Sequence, residues 1–162
     1  MSIEVYMKRF ENTILQICMS NKDRNIIIYE HRNNQVSESL DSLNINYKAF
    51  DDMNNLINIE TNDLLILSVD QYMIGYDDIY KKIGSIILNH PNHIIIINKI
   101  KNSEYLDNQM HKLLISLGFN LFSQTNYDNI FFLFYTYNIG SYKKTPDWLN
   151  SDNWANPDLW EK

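Results

Sequence analysis

A mixed α/β domain, with a mostly parallel sheet that ends in an antiparallel hairpin, is the fold class this sequence predicts. Short runs of aliphatic residues alternate with segments whose apolar residues recur at helical spacing, the pattern of strand–helix–strand units. Most of those runs lack apolar–polar alternation, as in strands buried on both faces. The last two, 120–124 and 130–137, stand close enough for a hairpin.

Element by element, the first segment, Glu4 to Asn21, places Ile3, Met7, Phe10, Ile14, Ile17 and Cys18 on one helical face. Asn25 to Tyr29 reads as a buried strand, followed by the polar loop Glu30-His31-Arg32-Asn33-Asn34. Ser37 is placed to cap a short helix carrying Val36, Leu40 and Leu43, and Tyr47 to Phe50 reads as a second strand. Asp51 or Asp52 then caps a brief helix with Met53, Leu56 and Ile57. The clearest strand is Asp63 to Asp70, and Ile79, Ile83, Ile86 and Ile87 mark a helix that stops before Pro91. His93 to Ile97 is a fourth buried strand. Leu106, Met110, Leu113, Leu114 and Leu117 form a helical stripe closed by Gly118. The strands Asn120 to Gln124 and Ile130 to Tyr137 flank a loop over Thr125 to Asn129.

The chain has 162 residues, 44% hydrophobic and 21% charged, enough to bury roughly 70% of its unfolded surface. Without a Pro-rich or Gly/Ser-rich linker, one domain is expected over residues 1–140, with the tail 141–162 packed on it. A net charge of −6 and scattered Lys and Arg argue against nucleic acid, which needs clustered positive charge. One cysteine precludes an internal disulfide. No secretory leader is visible, and no apolar run approaches the ~20 residues that span a bilayer. A cytoplasmic protein without membrane segments is therefore expected. Cys18 reads as a small hydrophobe on the face of its helix.

The order of elements, the helix exit Leu117-Gly118-Phe119 and the strand Asp63-Leu64-Leu65-Ile66-Leu67 together resemble the class I methyltransferase version of the Rossmann fold, over about Ile3 to Tyr137. The resemblance implies a Rossmann-like three-layer sandwich, with S-adenosylmethionine bound at the turn after the first strand. In that family the turn is glycine-rich, because only glycine lets the backbone approach the cofactor closely. Here no glycine precedes Gly75, and the side chains of residues 30–34 fill the space. The frame is thus expected to carry a degenerate or altered cofactor site, and no cofactor is assigned. The acid such folds present to a ribose at the end of the second strand is matched by Asp51 or Asp52, both equally suited to capping a helix.

Ligands of open α/β sheets bind beyond the carboxyl ends of the strands. The candidate ligand-binding residues are therefore Glu30, His31, Arg32, Asp51, Ser68 and Asp70, with Gln71 and Tyr72 beside them. His31 is suited to proton transfer, with Asp70 or Glu30 to orient it. Adjacent polar residues also do nothing more than solvate a turn, and no catalytic residue is assigned. No metal is expected: His90 and His93 lack acidic or Cys partners at ligand spacing, and His111 falls on the polar side of its helix.

All three tryptophans, Trp148, Trp154 and Trp160, lie in the tail at six-residue intervals. An indole buries on the order of 200 Å² when it docks, so two readings fit: the tail folds back on the domain, or it offers aromatic anchors to a protein partner. The ending Tyr142-Lys143-Lys144-Thr145-Pro146-Asp147-Trp148-Leu149-Asn150, then Trp154-Ala155-Asn156-Pro157 and Trp160, is similar to that of a functionally uncharacterised bacterial family of small proteins. Two functions follow. The first is a non-catalytic binding or interaction module. The alternative is a divergent methyltransferase or nucleotide-handling enzyme using the crevice at the carboxyl ends of the first and third strands. The missing glycine turn favours the first.

Overall fold

The structure is a computed structural model that describes residues 3–32, 34–58, 62–75, 78–89, 92–101, 108–127 and 129–138. The tail, with Trp148, Trp154 and Trp160, lies outside the described residues.

The elements are α1 (Ile3–Ser20), β1 (Ile26–Glu30), α2 (Gln35–Ser42), β2 (Lys48–Phe50), a 3-10 segment Met53–Asn58, β3 (Leu64–Asp70), a second 3-10 segment Gln71–Gly75, α3 (Ile79–Asn89), β4 (Asn92–Ile100), α4 (Gln109–Ser116), β5 (Asn120–Tyr127) and β6 (Ile130–Asn138). They build one six-stranded sheet in the order β2-β1-β3-β4-β6-β5. The first four of these strands are parallel, and β6 joins β4 and β5 antiparallel. The expected α/β architecture is therefore present, with the hairpin at one edge.

Successive strand residues point to opposite faces, and the apolar runs feed two cores. On one face Phe10, Ile14 and Ile17 of α1 and Val36 and Leu40 of α2 pack on Ile28, Ile66, Ile97 and Phe134. On the other, Ile79, Ile83 and Ile86 of α3 and Met110 and Leu114 of α4 cover Leu65, Leu67, Ile96 and Leu133. Three layers result. Cys18 is buried within the first core, and burial pushes its thiol up to about 11. It is thus an inert packing residue, since the thiolate is the reactive form.

Three local expectations change. Strand β4 continues to Ile100 rather than ending at Ile97, because β6 pairs with it that far. The hairpin is tighter than expected, with Tyr127 already paired to Ile130. Helix α4 ends as the sequence implies: Gly118 has φ 94°, and the Gly118 and Phe119 N–H groups donate to Ile115 O and Leu114 O at 3.0 Å, the paired bonds of a Schellman motif.

The third change concerns His111, which is buried rather than on a polar face. Its Nδ1 lies 2.7 Å from the Tyr135 hydroxyl. Burial, reinforced by the Lys112 charge, holds its imidazole below the usual 6.5. His93 is shifted the same way by burial and then Arg24. The unfolded chain therefore binds more protons than the native one just below pH 6.5, and stability falls there as acid is added. Denaturant midpoints followed by circular dichroism should hold steady between about pH 6.5 and 8 and drop below pH 6.5, with a shallower drop in His111→Gln.

Candidate functional site

Chain order places the functional crevice. From β1 the chain passes through α2 to β2 at the sheet edge, then crosses back to β3 on the other side of β1. The carboxyl ends of β1 and β3 therefore flank the switch point of the sheet, where ligands of this architecture sit.

At that point β1 ends in Glu30, and its carboxylate is taken up by the N-terminus of α2. The Val36 N–H donates to Glu30 Oε1 at 2.7 Å and the Ser37 N–H donates to Oε2 at 3.1 Å. Glu30 thus caps α2 from outside, supplying acceptors and negative charge to the helix N-terminus. This corrects the expected capping role of Ser37, which lies inside the helix and whose hydroxyl donates to Asn34 O instead. Asn34 occupies the cap position without a side-chain bond. Glu30→Ala is expected to lower stability by about 1–2 kcal/mol, as loss of a helix cap does, and Glu30→Gln by less. Urea denaturation of both variants measures it.

His31 crosses the switch point. Its backbone N–H donates to Ser68 O at 3.1 Å, and its Nδ1 stands 3.2 Å from Asp70 Oδ2, both side chains less than one-fifth exposed. The other Asp70 oxygen, Oδ1, accepts from the Tyr72 and Met73 N–H groups at 2.9 and 3.2 Å. The pair latches β1 to β3 while Asp70 starts the second 3-10 segment. Of the expected residues, His31, Ser68 and Asp70 are brought together. Arg32 is exposed and holds φ 53°, a left-handed conformation that glycine adopts more readily. Asp51 is exposed at the end of β2. Asp52 caps the first 3-10 segment, and the Asn54 N–H donating to it at 2.9 Å leads the effects holding its carboxyl below the ordinary value.

Between these elements lies a cavity of about 260 Å³, walled by Tyr29, His31, Met53, Met73, Ile79 and Lys82. Sequence reasoning found only His31 among them. Met53 and Ile79 read as core positions, and nothing in their spacing says that they meet Met73 at one strand end. A larger cavity of about 820 Å³ involves Arg24, Asn25, Lys48 and Asp63 at the amino ends of the strands. There Arg24 donates to Asn62 and Asn25 donates to Asp63, so these polar groups serve loop closure at the end of the sheet away from the switch point. Among the described residues no group of three or more His, Cys, Asp or Glu could hold a metal ion. None of their helices is long and apolar enough to cross a membrane.

Comparison with known proteins agrees with this frame. A family model, "Family of unknown function (DUF6231)", matches residues 8–162. No curated protein matches. Among solved structures, an S-adenosylmethionine-dependent methyltransferase from Clostridium acetobutylicum aligns with TM-score 0.50 and 10% identity over 81% of this chain and 92% of its own. A phosphoethanolamine N-methyltransferase 2 from Haemonchus contortus, bound to S-adenosyl-L-methionine, aligns with TM-score 0.47 and 10% identity over 93% of this chain. This chain spans 42% of that enzyme. A duf574 family protein from Streptomyces avermitilis aligns with TM-score 0.46 and 8% identity over 83% of this chain and 82% of its own. At such identities the likeness concerns the fold alone, and the Clostridium structure carries it: a methyltransferase-like mixed sheet flanked by helices.

Proposed function

Because the chain belongs to the DUF6231 family, to which no function is attached, we propose from its own residues that it is a non-catalytic interaction module built on a methyltransferase-like frame. The observation that supports this reading is the turn after β1. Where a cofactor-binding frame needs bare backbone, this turn has side chains committed to structure: Glu30 to the α2 N-terminus and His31 to Asp70. The space that is left, about 260 Å³, falls below the about 300–1,000 Å³ of pockets that enclose drug-sized ligands. With little room left in the crevice, the fold serves as a scaffold, and the segment offered to a protein partner is the tail with Trp148, Trp154 and Trp160. In this reading the protein works in a bacterial cytoplasm, and its charge of −6 disfavours nucleic acid as the partner. Pull-downs comparing the intact chain with one truncated after Tyr142 test it. Partners should be recovered by the intact chain and lost on truncation, and equal recovery would remove the tail from the account.

A second reading rests on the cavity itself. It sits at the switch point with His31 on its wall, and Asp70 orients that imidazole as a general base is oriented. A divergent methyltransferase or nucleotide-handling enzyme would use it with Glu30, His31, Arg32, Asp51, Ser68 and Asp70 as its ligand-binding set. Binding of a nucleotide-bearing ligand separates the two readings.

A further inference from the structure

The hairpin edge carries a feature that the crevice does not explain. Strand β6 runs antiparallel to β4, so it delivers the chain to the amino end of the parallel strands, where Asn138 pairs with Asn92. Beside that exit, on the α1 face, is a groove of about 390 Å³. Its floor is Ile17, Ile95 and Phe122, and its rim includes Thr13, Ser20 and Thr136. Every described residue lining it is uncharged. Phe122 sits at a register shift between Leu121 and Ser123 and is 47% exposed, with its ring 6.3 Å from that of Phe134. An apolar floor inside a rim of neutral hydroxyls and amides matches an indole, which needs one apolar face and one acceptor for its N–H.

We propose that this groove is the docking site of Trp148, supplied in cis by the segment 141–162. Reach is ample: Thr136 lines the groove, and the ten residues from Asn138 to Trp148 span up to about 33 Å when extended. Trp148 is the first tryptophan after the exit, so seating it closes the shortest loop and costs the least chain entropy. The described lining of the groove offers no counter-charge to Lys143, Lys144 or Asp147, so the tryptophan is the part of the segment it suits. The inference rests on the reading of the tail as the interaction segment and adds its regulation: cis docking of Trp148 sets how much of the tail a partner can take.

The test uses the full chain and its intrinsic fluorescence, which reports the tail alone because every tryptophan lies there. In a Trp154→Phe, Trp160→Phe background only Trp148 emits. Docking predicts short-wavelength emission protected from acrylamide. Phe122→Asp and, separately, Ser20→Arg should shift it to long wavelength and raise quenching several-fold. Both sites are solvent-facing, so circular dichroism should show the fold retained, and two different variants guard against one local distortion. Long-wavelength emission before any groove substitution overturns the proposal. So does short-wavelength emission that ignores both substitutions, or that reddens on dilution, which would put the ring in a second copy. None of these outcomes bears on cofactor binding, so failure here is distinguishable from failure of the non-catalytic reading.

Discussion

Phe10→Ala is expected to lower the stability of the protein by about 3–5 kcal/mol, the range for deleting a buried aromatic side chain. Phe10 is 1% exposed and joins α1 to the sheet. Its ring meets Phe132 edge-on at 5.0 Å and 66°, and Phe134 at 5.6 Å. Each such pair adds about 0.5–1.5 kcal/mol beyond the area it buries, and alanine loses both at once. Domains of this size are stable by only about 5–15 kcal/mol, so a large share of the total is at stake. Urea denaturation followed by circular dichroism is the appropriate measurement, because every tryptophan lies in the segment 141–162 and none in the helices and strands. Phe10→Leu should fall between wild type and alanine, since it refills volume without restoring the ring contacts.

Asn98→Leu should act in the opposite direction, stabilising the protein by about 1–3 kcal/mol. Asn98 is 0% exposed on β4, between Val69 of β3 and Leu133 of β6 in the register. Its position places it on the sheet face of Ile96 and Ile100, and among the described residues neither its Nδ2 nor its Oδ1 has a hydrogen-bond partner. Buried amides without partners are rare because the lost hydration is not returned. Leucine has nearly the same shape and carries no such cost. Thermal and urea midpoints of the variant measure the gain. A loss of stability instead would mean that the amide is bonded in solution, to an ordered water or a ligand.

Much of the frame was legible because it rests on strong local signals. The continuous apolar runs at 26–29, 64–67 and 94–97 announce strands buried on both faces, and all three lie at the sheet centre. Gly118 marked its helix stop for the reason the structure shows, a left-handed φ. The site was less legible, since its decisive contacts are tertiary. Capping is read from the residue just before a helix, whereas Glu30 reaches α2 from six residues before Val36, across a turn whose shape no periodicity reveals. His111 was misplaced because its partner Tyr135 lies 24 residues away on β6, and helical spacing alone does not show which flank a second element covers. The pairing of His31 with Asp70 was available as a possibility, since both follow strands. Only the adjacency of β1 and β3 makes it a contact.

The central claim is that the methyltransferase-like frame has lost its cofactor site, and calorimetric titration of the full-length protein with S-adenosylmethionine and S-adenosylhomocysteine tests it most directly. With Glu30 and His31 committed to α2 and Asp70, the expected result is no saturable heat for either ligand and no rise in thermal midpoint on adding them. Micromolar binding of S-adenosylmethionine, abolished by substitutions at His31 or Asp70, would contradict the account and return the crevice between β1 and β3 to catalysis.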